Sequence, residues 1–404
     1  MMETELNWLL NALEEAGKTA VKKDGEYWRA SYTAEDKAVV ELLAQYMREE
    51  GMEIFFDAVG NLHGVLEGKS RDVIMVGSHR DTVRHGGKYD GMLGILAGIR
   101  AAGSLYRQFG RPEKTLEVVA MAEEESSRFP ASDYPGSSNI AGIMPRSALE
   151  LTDADGVTLG AAIKEAGYRG EPLDRKRPEI KRFIEMHIEQ GGVLEHEGKQ
   201  IGIIRSIVGQ WGGRIDFVGE QNHAGTTPMD LRRDPVPVMA DFIRDMFCRI
   251  KPYEGDLVLT MGKIDVWPGN ANVIPQKVSV TYDLRSADYD LGRKVFADML
   301  NLQDKYRGAV RIEVTPAWED RPTDLDPQGI EELEAVAREL NYPYKIMNSG
   351  AGHDSQNMAK SYPTNMIFVP SVGGVSHHEK EYTKPGDLEA GLAVLKAYLK
   401  KLSW

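Results

Sequence analysis

The sequence predicts an α/β protein: a mainly parallel-sheet domain interrupted by an inserted, ferredoxin-like α+β unit. Three observations carry this. Short apolar runs alternate with helical spacing through the first half of the chain, the pattern of a parallel sheet covered on both faces. Between about Gly209 and Asp324 the order changes to β-α-β-β-α-β, a split βαβ unit with a complete core of its own. The chain's 404 residues also exceed what one hydrophobic core usually holds. The expected division is one discontinuous domain over 1–209 and 325–404, with 210–324 inserted.

Taken in order, Leu6, Leu9, Leu10 and Leu13 give helical spacing over Thr4 to Ala16. A second helix is expected over Thr33 to Gly51, with Thr33 as N-cap and Gly51 as the stop. Strands follow at Glu53–Phe56, Leu62–Leu66 and Val73–Val76, then a helix at Leu93–Tyr106. Leu116–Ala122 and Phe183–Met186 are apolar runs of strand length. The inserted unit reads as strand Arg214–Gly219, helix Pro235–Ile250, strands Leu257–Asp265 and Lys277–Arg285, helix Leu291–Tyr306 and strand Val310–Thr315. A helix at Gln328–Leu340, a strand at Met366–Val369 and a helix at Asp387–Leu402 resume the first pattern. There is no internal repeat and no low-complexity tract.

Composition excludes several classes of function. A formal charge of −13 lacks the basic footprint of a nucleic-acid binder. No apolar run reaches the roughly 18 residues that span a bilayer, and the acidic N-terminus does not read as a signal peptide. Cys248 is the only cysteine, so intramolecular disulfides and cysteine-based zinc sites are out, and a reducing cytoplasm is the expected compartment. Any metal must be held by His, Asp and Glu.

Such residues cluster at strand ends. His79 follows the strand at 73–76, Glu124 and Glu125 follow that at 116–122, and His187 ends that at 183–186. His377 and His378 lie in the loop after 366–369. Open parallel sheets bind ligands beyond the carboxyl ends of their strands, so these positions converge on one edge. A pair of divalent ions about 3.5–4 Å apart shares a carboxylate and polarises one water. Asp90, in a loop returning to the end of the His79 strand, suits that bridge; the plainer reading is a turn residue before Gly91. Asp81 is placed to orient the His79 ring. In the acidic triplet Glu123-Glu124-Glu125, one carboxylate can bind metal while its neighbour takes a proton from water.

A set of motifs extends this reading: G-S-H-R-D-T-V with Y-D-G, A-E-E-E-S-S-R-F, E-M-H-I-E-Q-G, N-H-A-G-T-T-P-M, N-A-N-V-I-P, D-L-R, S-G-A-G-H-D and F-V-P-S-V-G-G-V-S-H. In sequence and order they resemble the dinuclear amidohydrolase family of allantoate amidohydrolase, N-carbamoyl-L-amino acid hydrolase, ureidoglycolate amidohydrolase and β-ureidopropionase. Aminoacylase and carnosinase-type peptidases are more distant relatives. The resemblance runs from about Thr33 to the C-terminus.

It implies that His79, Asp90, Glu125, His187 and His377 hold two divalent ions, Zn or Mn with Co or Ni also suited, and that Asp90 bridges them. It implies Glu124 as general base, His223 as the lid histidine that stabilises the oxyanion, and Arg285 as the grip on a substrate carboxylate. Gln190, Asn272, Gly352 and His353 match substrate-contacting positions. The inserted domain is implied to serve as lid and as the contact of a homodimer. The implied activity is metal-dependent cleavage of a C–N bond in a linear ureido or carbamoyl acid. Allantoate, yielding ammonia and CO2, comes first because Phe129-Pro130, an aromatic residue and G-S-S-N-I resemble that branch. N-carbamoyl-L-amino acids come second; a non-catalytic metal-binding or regulatory homologue is the reading from another class.

Three departures from the family pattern stand out. Ser126 and Ser127 stand where the family has Gly and a small residue after the glutamate pair. Arg80 replaces an uncharged residue and is expected to point away from the metals, and His378 is an adjacent rival to His377.

Overall fold

The computed structural model describes residues 2–130, 133–170, 175–253, 255, 257–306, 308 and 310–404. Ala131 and Ser132, part of the segment compared above with the allantoate branch, lie outside the described residues. The chain divides into two compact units, Met1–Arg205 with Asp324–Trp404, and Ser206–Thr323.

The first unit begins with α1 (Met2–Lys18), α2 (Ala34–Glu49), β1 (Glu53–Phe56), β2 (Leu62–Leu66), β3 (Ser70–His79), α3 (Met92–Phe109) and β4 (Lys114–Met121). It continues through α4 (Pro135–Ile140), α5 (Leu159–Glu165), β5 (Ile180–Ile188), α6 (Val193–His196) and β6 (Ile201–Ile207), whose last two residues fall in the second unit. The second holds β7 (Gly209–Val218), β8 (Asn222–His223), α7 (Pro235–Ile250), β9 (Leu257–Thr260), β10 (Ile264–Trp267), β11 (Val273–Ile274), β12 (Lys277–Ser286), α8 (Tyr289–Lys305) and β13 (Arg311–Asp320). Then come β14 (Thr323–Asp324), α9 (Pro327–Glu339), β15 (Tyr344–Ser349), α10 (Asp354–Ala359), β16 (Thr364–Val369) and α11 (Pro385–Ser403).

Among the described residues the main sheet runs β1-β2-β4-β3-β5-β16-β6-β14, with β15 also paired to β6. Its centre, β4-β3-β5-β16, is parallel. Its flanks are antiparallel, so the sheet is mixed rather than mainly parallel. The β1–β2 hairpin accounts for one flank: Asp57 Oδ1 accepts the N–H groups of Val59 and Asn61 at 3.1 and 2.9 Å and turns the chain back.

Alternate residues of β3 enter different cores, as the period of two requires. Ile74 and Val76 pack with Leu93 and Leu96 of α3, whereas Val73 and Met75 pack with Met358 and Tyr362. Each fully buried aliphatic side chain of this kind contributes about 1.5–3 kcal/mol. Both faces being covered, the functional residues can gather only beyond the strand ends.

In the second unit an antiparallel sheet runs β10-β12-β7-β13. The expected strand Leu257–Asp265 is broken in two around Gly262: β10 pairs with the first half of β12 and β9 with the second. The remaining order is β-α-β-β-α-β, with Trp211, Phe217, Phe242 and Met299 in its core. Among the described residues no helix is long and apolar enough to cross a membrane.

Candidate metal centre

The parallel centre of the sheet sets four chain segments side by side. His79 ends β3 in register with Met121 of β4, and His187 lies in β5 opposite Phe368 of β16. Asp90 enters from the loop before α3. There Gly91 has φ +64°, and a Cβ would overlap the carbonyl and ring of His79, so only glycine allows the loop to close this tightly.

Asp90 is the hub. Its Oδ1 stands 3.2 Å from His79 Nε2 and 3.1 Å from His187 Nε2. Its Oδ2 stands 3.5 Å from His377 Nε2, which is 3.4 Å from Glu125 Oε1. Two groups with the spacing of metal ligands result, His79–Asp90–His187 and Asp90–Glu125–His377, sharing the one carboxylate. A third combination, His79–Glu124–Glu125, overlaps both. His378 is apart from them: its Nδ1 accepts the N–H of Lys380 at 3.0 Å.

The ring orientations test whether cations fit. His187 Nδ1 lies 2.9 Å from the carbonyl of Ile188, and His79 Nδ1 lies 3.2 Å from that of Asp81. A carbonyl only accepts, so each Nδ1 carries a proton and each Nε2 faces Asp90 Oδ1, that of His187 also accepting the N–H of Gly91 at 3.2 Å. Asp90 Oδ1 and Glu125 Oε1 are buried acceptors with no hydrogen-bond donor. Ring nitrogens and carboxylate oxygens packed this closely in a buried pocket call for positive charge between them, as protons on the rings or as cations. The donor set of imidazoles and carboxylates fits divalent transition ions.

The same demand governs titration. Burial opposes charge on His79, yet Glu124, Asp90 and Glu125 outweigh it and hold its pKa well above the ordinary value. The facing carboxylates of Asp90 and Glu125 push His377 up to about 11. Burial, then the neighbouring carboxylates, hold Glu124 well above the usual carboxylate range despite His79. Glu124 Oε2 is 3.8 Å from His79 Nε2, beside the ligand groups.

Asp81 departs from its expected task. Its carboxylate Oδ1 is 3.8 Å from His79 Nδ1, beyond hydrogen-bond reach, and its backbone carbonyl steers the ring instead. The carboxylate accepts the N–H groups of Glu124 and Glu125. They turn toward it because the chain leaves β4 through Glu123 at φ +60°. Glu123 organises the rest of this loop, accepting from Arg128 N, Phe129 N and Ser127 Oγ, which gives Ser127 its place. Arg80 faces away, fully buried, with Nε 2.7 Å and Nη2 3.2 Å from the two oxygens of Asp36.

The residues matched to substrate contacts are placed unevenly. Gln190 donates to Asp90 Oδ2 at 2.7 Å and so belongs to the hub. Gly352 leaves room for the Tyr134 hydroxyl, which a Cβ there would overlap. His353 does not lie at an open surface. It is buried at the start of α10 with its ring against that of His187, centroids 4.6 Å apart, and bonds Ser349 Oγ at 2.9 Å. Burial and His187 hold its pKa well below the ordinary value, so it packs as a neutral ring against that of His187.

His223, Asn272 and Arg285 belong to the second unit. His223 Nδ1 accepts the N–H groups of Gly225 and Thr226 at 3.0 and 3.2 Å, which puts the neutral ring's proton on Nε2 and makes that atom a donor. Asn272 is exposed, and its carbonyl accepts the N–H of Ala224. Arg285 does not stand free: Asp283 holds its guanidinium at 2.9 and 2.8 Å. A bidentate carboxylate partner at i−2 on the strand was not foreseen.

Two residues to which the sequence reading gives no role also touch the hub. Ser376 Oγ lies 3.0 Å from Asp90 Oδ2 and 3.0 Å from Glu381 Oε2. Only their nearness to His377 in the chain marks them. Asp354 is buried beside Glu185, and burial with that neighbour pushes it up to about 8. The motif S-G-A-G-H-D had contained it.

Named amidohydrolases are similar to the chain over nearly its whole length. It is 38% identical to an allantoate amidohydrolase of Bacillus subtilis (strain 168), over 98% of each chain. It is 36% identical to an N-carbamoyl-L-amino acid amidohydrolase of Geobacillus stearothermophilus, covering 98% of this chain and 97% of that one. A crystal structure of a hydantoinase/carbamoylase family amidase from Burkholderia multivorans superposes with a TM-score of 0.90 at 32% identity, over 98% and 97% of the two chains. The profile of Peptidase family M20/M25/M40 matches residues 75–401, and the chain, with its shared-carboxylate centre at Asp90, belongs to that family.

Proposed function

We propose that this amidohydrolase uses two divalent ions to cleave a C–N bond of a linear ureido acid, with allantoate as its substrate. The observation that carries the reading is the division of Asp90: one oxygen faces His79 and His187, the other His377. His79, His187 and Asp90 would hold one ion; Asp90, Glu125 and His377 would hold the other, with Zn or Mn first and Co or Ni also suited. Bound there, such ions supply Lewis-acid polarisation of a water and of the substrate carbonyl.

The chain's own groups do the rest. Glu124, buried and with its pKa raised, takes the proton of the attacking water and returns it to the leaving nitrogen. The water oxygen bonds to the carbamoyl carbon, the C–N bond breaks, and the carbamate released decays to ammonia and CO2. His223 donates Nε2–H to the carbonyl oxygen as it gains charge. Arg285 binds the substrate carboxylate, and Gln190, Asn272 and Gly352 contact the substrate. The second unit would act as lid and as the contact of a homodimer, in the cytoplasm that a single cysteine suits.

N-carbamoyl-L-amino acids are the second reading, favoured by the Geobacillus stearothermophilus relative. Assaying metal-loaded protein on both substrates separates the two. Ammonia release from allantoate without turnover of N-carbamoyl-L-amino acids supports the first, and the reverse pattern rejects it.

A further inference from the structure

The loop that carries Asp90 has few internal constraints: it is rich in glycine and lies between a strand end and a helix start. Beside the bonds of Gly91 N to His187 and of Gln190 to Asp90 Oδ2, the group that holds its backbone at Tyr89 and Asp90 is Glu381. This carboxylate is 5% exposed, and its Oε1 accepts the backbone N–H of Tyr89 at 2.9 Å and of Asp90 at 3.1 Å. Its Oε2 lies 3.0 Å from Ser376 Oγ, which in turn lies 3.0 Å from Asp90 Oδ2. Glu381 therefore grips the backbone of Asp90 directly, and Ser376 Oγ, with one proton to donate, stands within reach of both carboxylates. The approach is built into the sequence on the opposite side too, since a Cβ at Gly87 would overlap Glu381 Oε1 and the carboxylate beyond it. The loop of 376–381 also carries His377, so the same contacts join the two segments that meet in the Asp90–Glu125–His377 group.

We infer that Glu381, acting with Ser376, is the positioning residue that presets Asp90 to bridge two ions and fixes its distance to His377. The inference rests on reading the cluster around Asp90 as a two-ion centre. A clamp of this kind acts on metal affinity before it acts on turnover. Partners that orient a metal-binding carboxylate are worth about tenfold to hundredfold in affinity.

The test is calorimetric titration of metal-stripped full-length protein with Mn²⁺ or Zn²⁺, beside the melting temperature of each metal-free variant. Glu381→Ala is expected to weaken at least one of two binding events about tenfold to hundredfold. Glu381→Gln keeps an oxygen for the two N–H groups and an amide N–H for Ser376 Oγ, so it should restore affinity to within about threefold of wild type. Ser376→Ala should fall between them, with a metal-free melting temperature close to wild type. If Glu381→Ala does not fold, the Ser376→Ala and Glu381→Gln titrations decide. Wild-type affinity in Glu381→Ala or in Ser376→Ala overturns the inference, as does a Glu381→Gln variant as weak as Glu381→Ala. A wild-type protein that binds no ion overturns the two-ion reading itself, which keeps the two failures apart.

Discussion

Asp81 accepts the backbone N–H of Glu124 at 3.1 Å, and its second oxygen accepts that of Glu125 at 3.2 Å. One carboxylate thus fixes the spacing between the proposed base and a proposed metal ligand. Asp81→Asn turns one acceptor into a donor aimed at an N–H. We predict a fall in kcat of about tenfold to hundredfold with the fold intact by circular dichroism. An unchanged kcat would show that this turn is held by other contacts.

Glu124 lies beside the two ligand groups sharing Asp90 and is buried. Glu124→Gln removes the proton acceptor while preserving shape. Turnover should drop by about 10²–10⁴ while the protein still binds both ions. Normal turnover would remove Glu124 as the base.

Gly91 sits at φ +64° against His79. Gly91→Ala should cost about 1–3 kcal/mol from the left-handed backbone, before the overlap with the His79 ring is counted. Because that ring is a proposed ligand, metal affinity should fall by more than the loss in metal-free stability accounts for. Equal losses in the two titrations would argue against a ligand role for His79.

Stability should depend on acid through Glu117. Burial raises this carboxyl, but His63 at 2.7 Å and the bidentate Arg177 lower it further, to about 2. The folded value lies below the unfolded one, so its contribution is fully present above about pH 4.5 and lost as pH falls toward 2. The difference corresponds to about 3 kcal/mol. Urea unfolding between pH 5 and 3 should show the start of this loss, and Glu117→Gln should flatten it. An unchanged slope in the variant would assign acid sensitivity elsewhere.

Much of this was legible because the site is made by strand ends. β1 and β2 run over Glu53–Phe56 and Leu62–Leu66, as their apolar patterns indicate, and His79, Glu124, Glu125 and His187 follow directly from where strands stop. β15 was not legible: Lys345 and Asn348 interrupt it, and only Ser349 is fully buried. α10 has six residues, too few to show a helical period. The missed contributors follow the same logic. Glu381 and Ser376 reach Tyr89 and Asp90 by hydrogen bonds between distant parts of the chain, which leave no periodic mark in sequence. The carboxylate of Asp81 was assigned to the wrong partner because residue spacing does not reveal which way a backbone N–H points.

The central claim is that Asp90 joins two ion sites. Its most direct test is the metal content of full-length protein dialysed against Mn²⁺ or Zn²⁺, measured by plasma mass spectrometry in wild type and in Asp90→Ala. The account predicts two ions per wild-type chain and at most one in the variant. Wild-type protein retaining no ion, or an Asp90→Ala variant still retaining two, would contradict it.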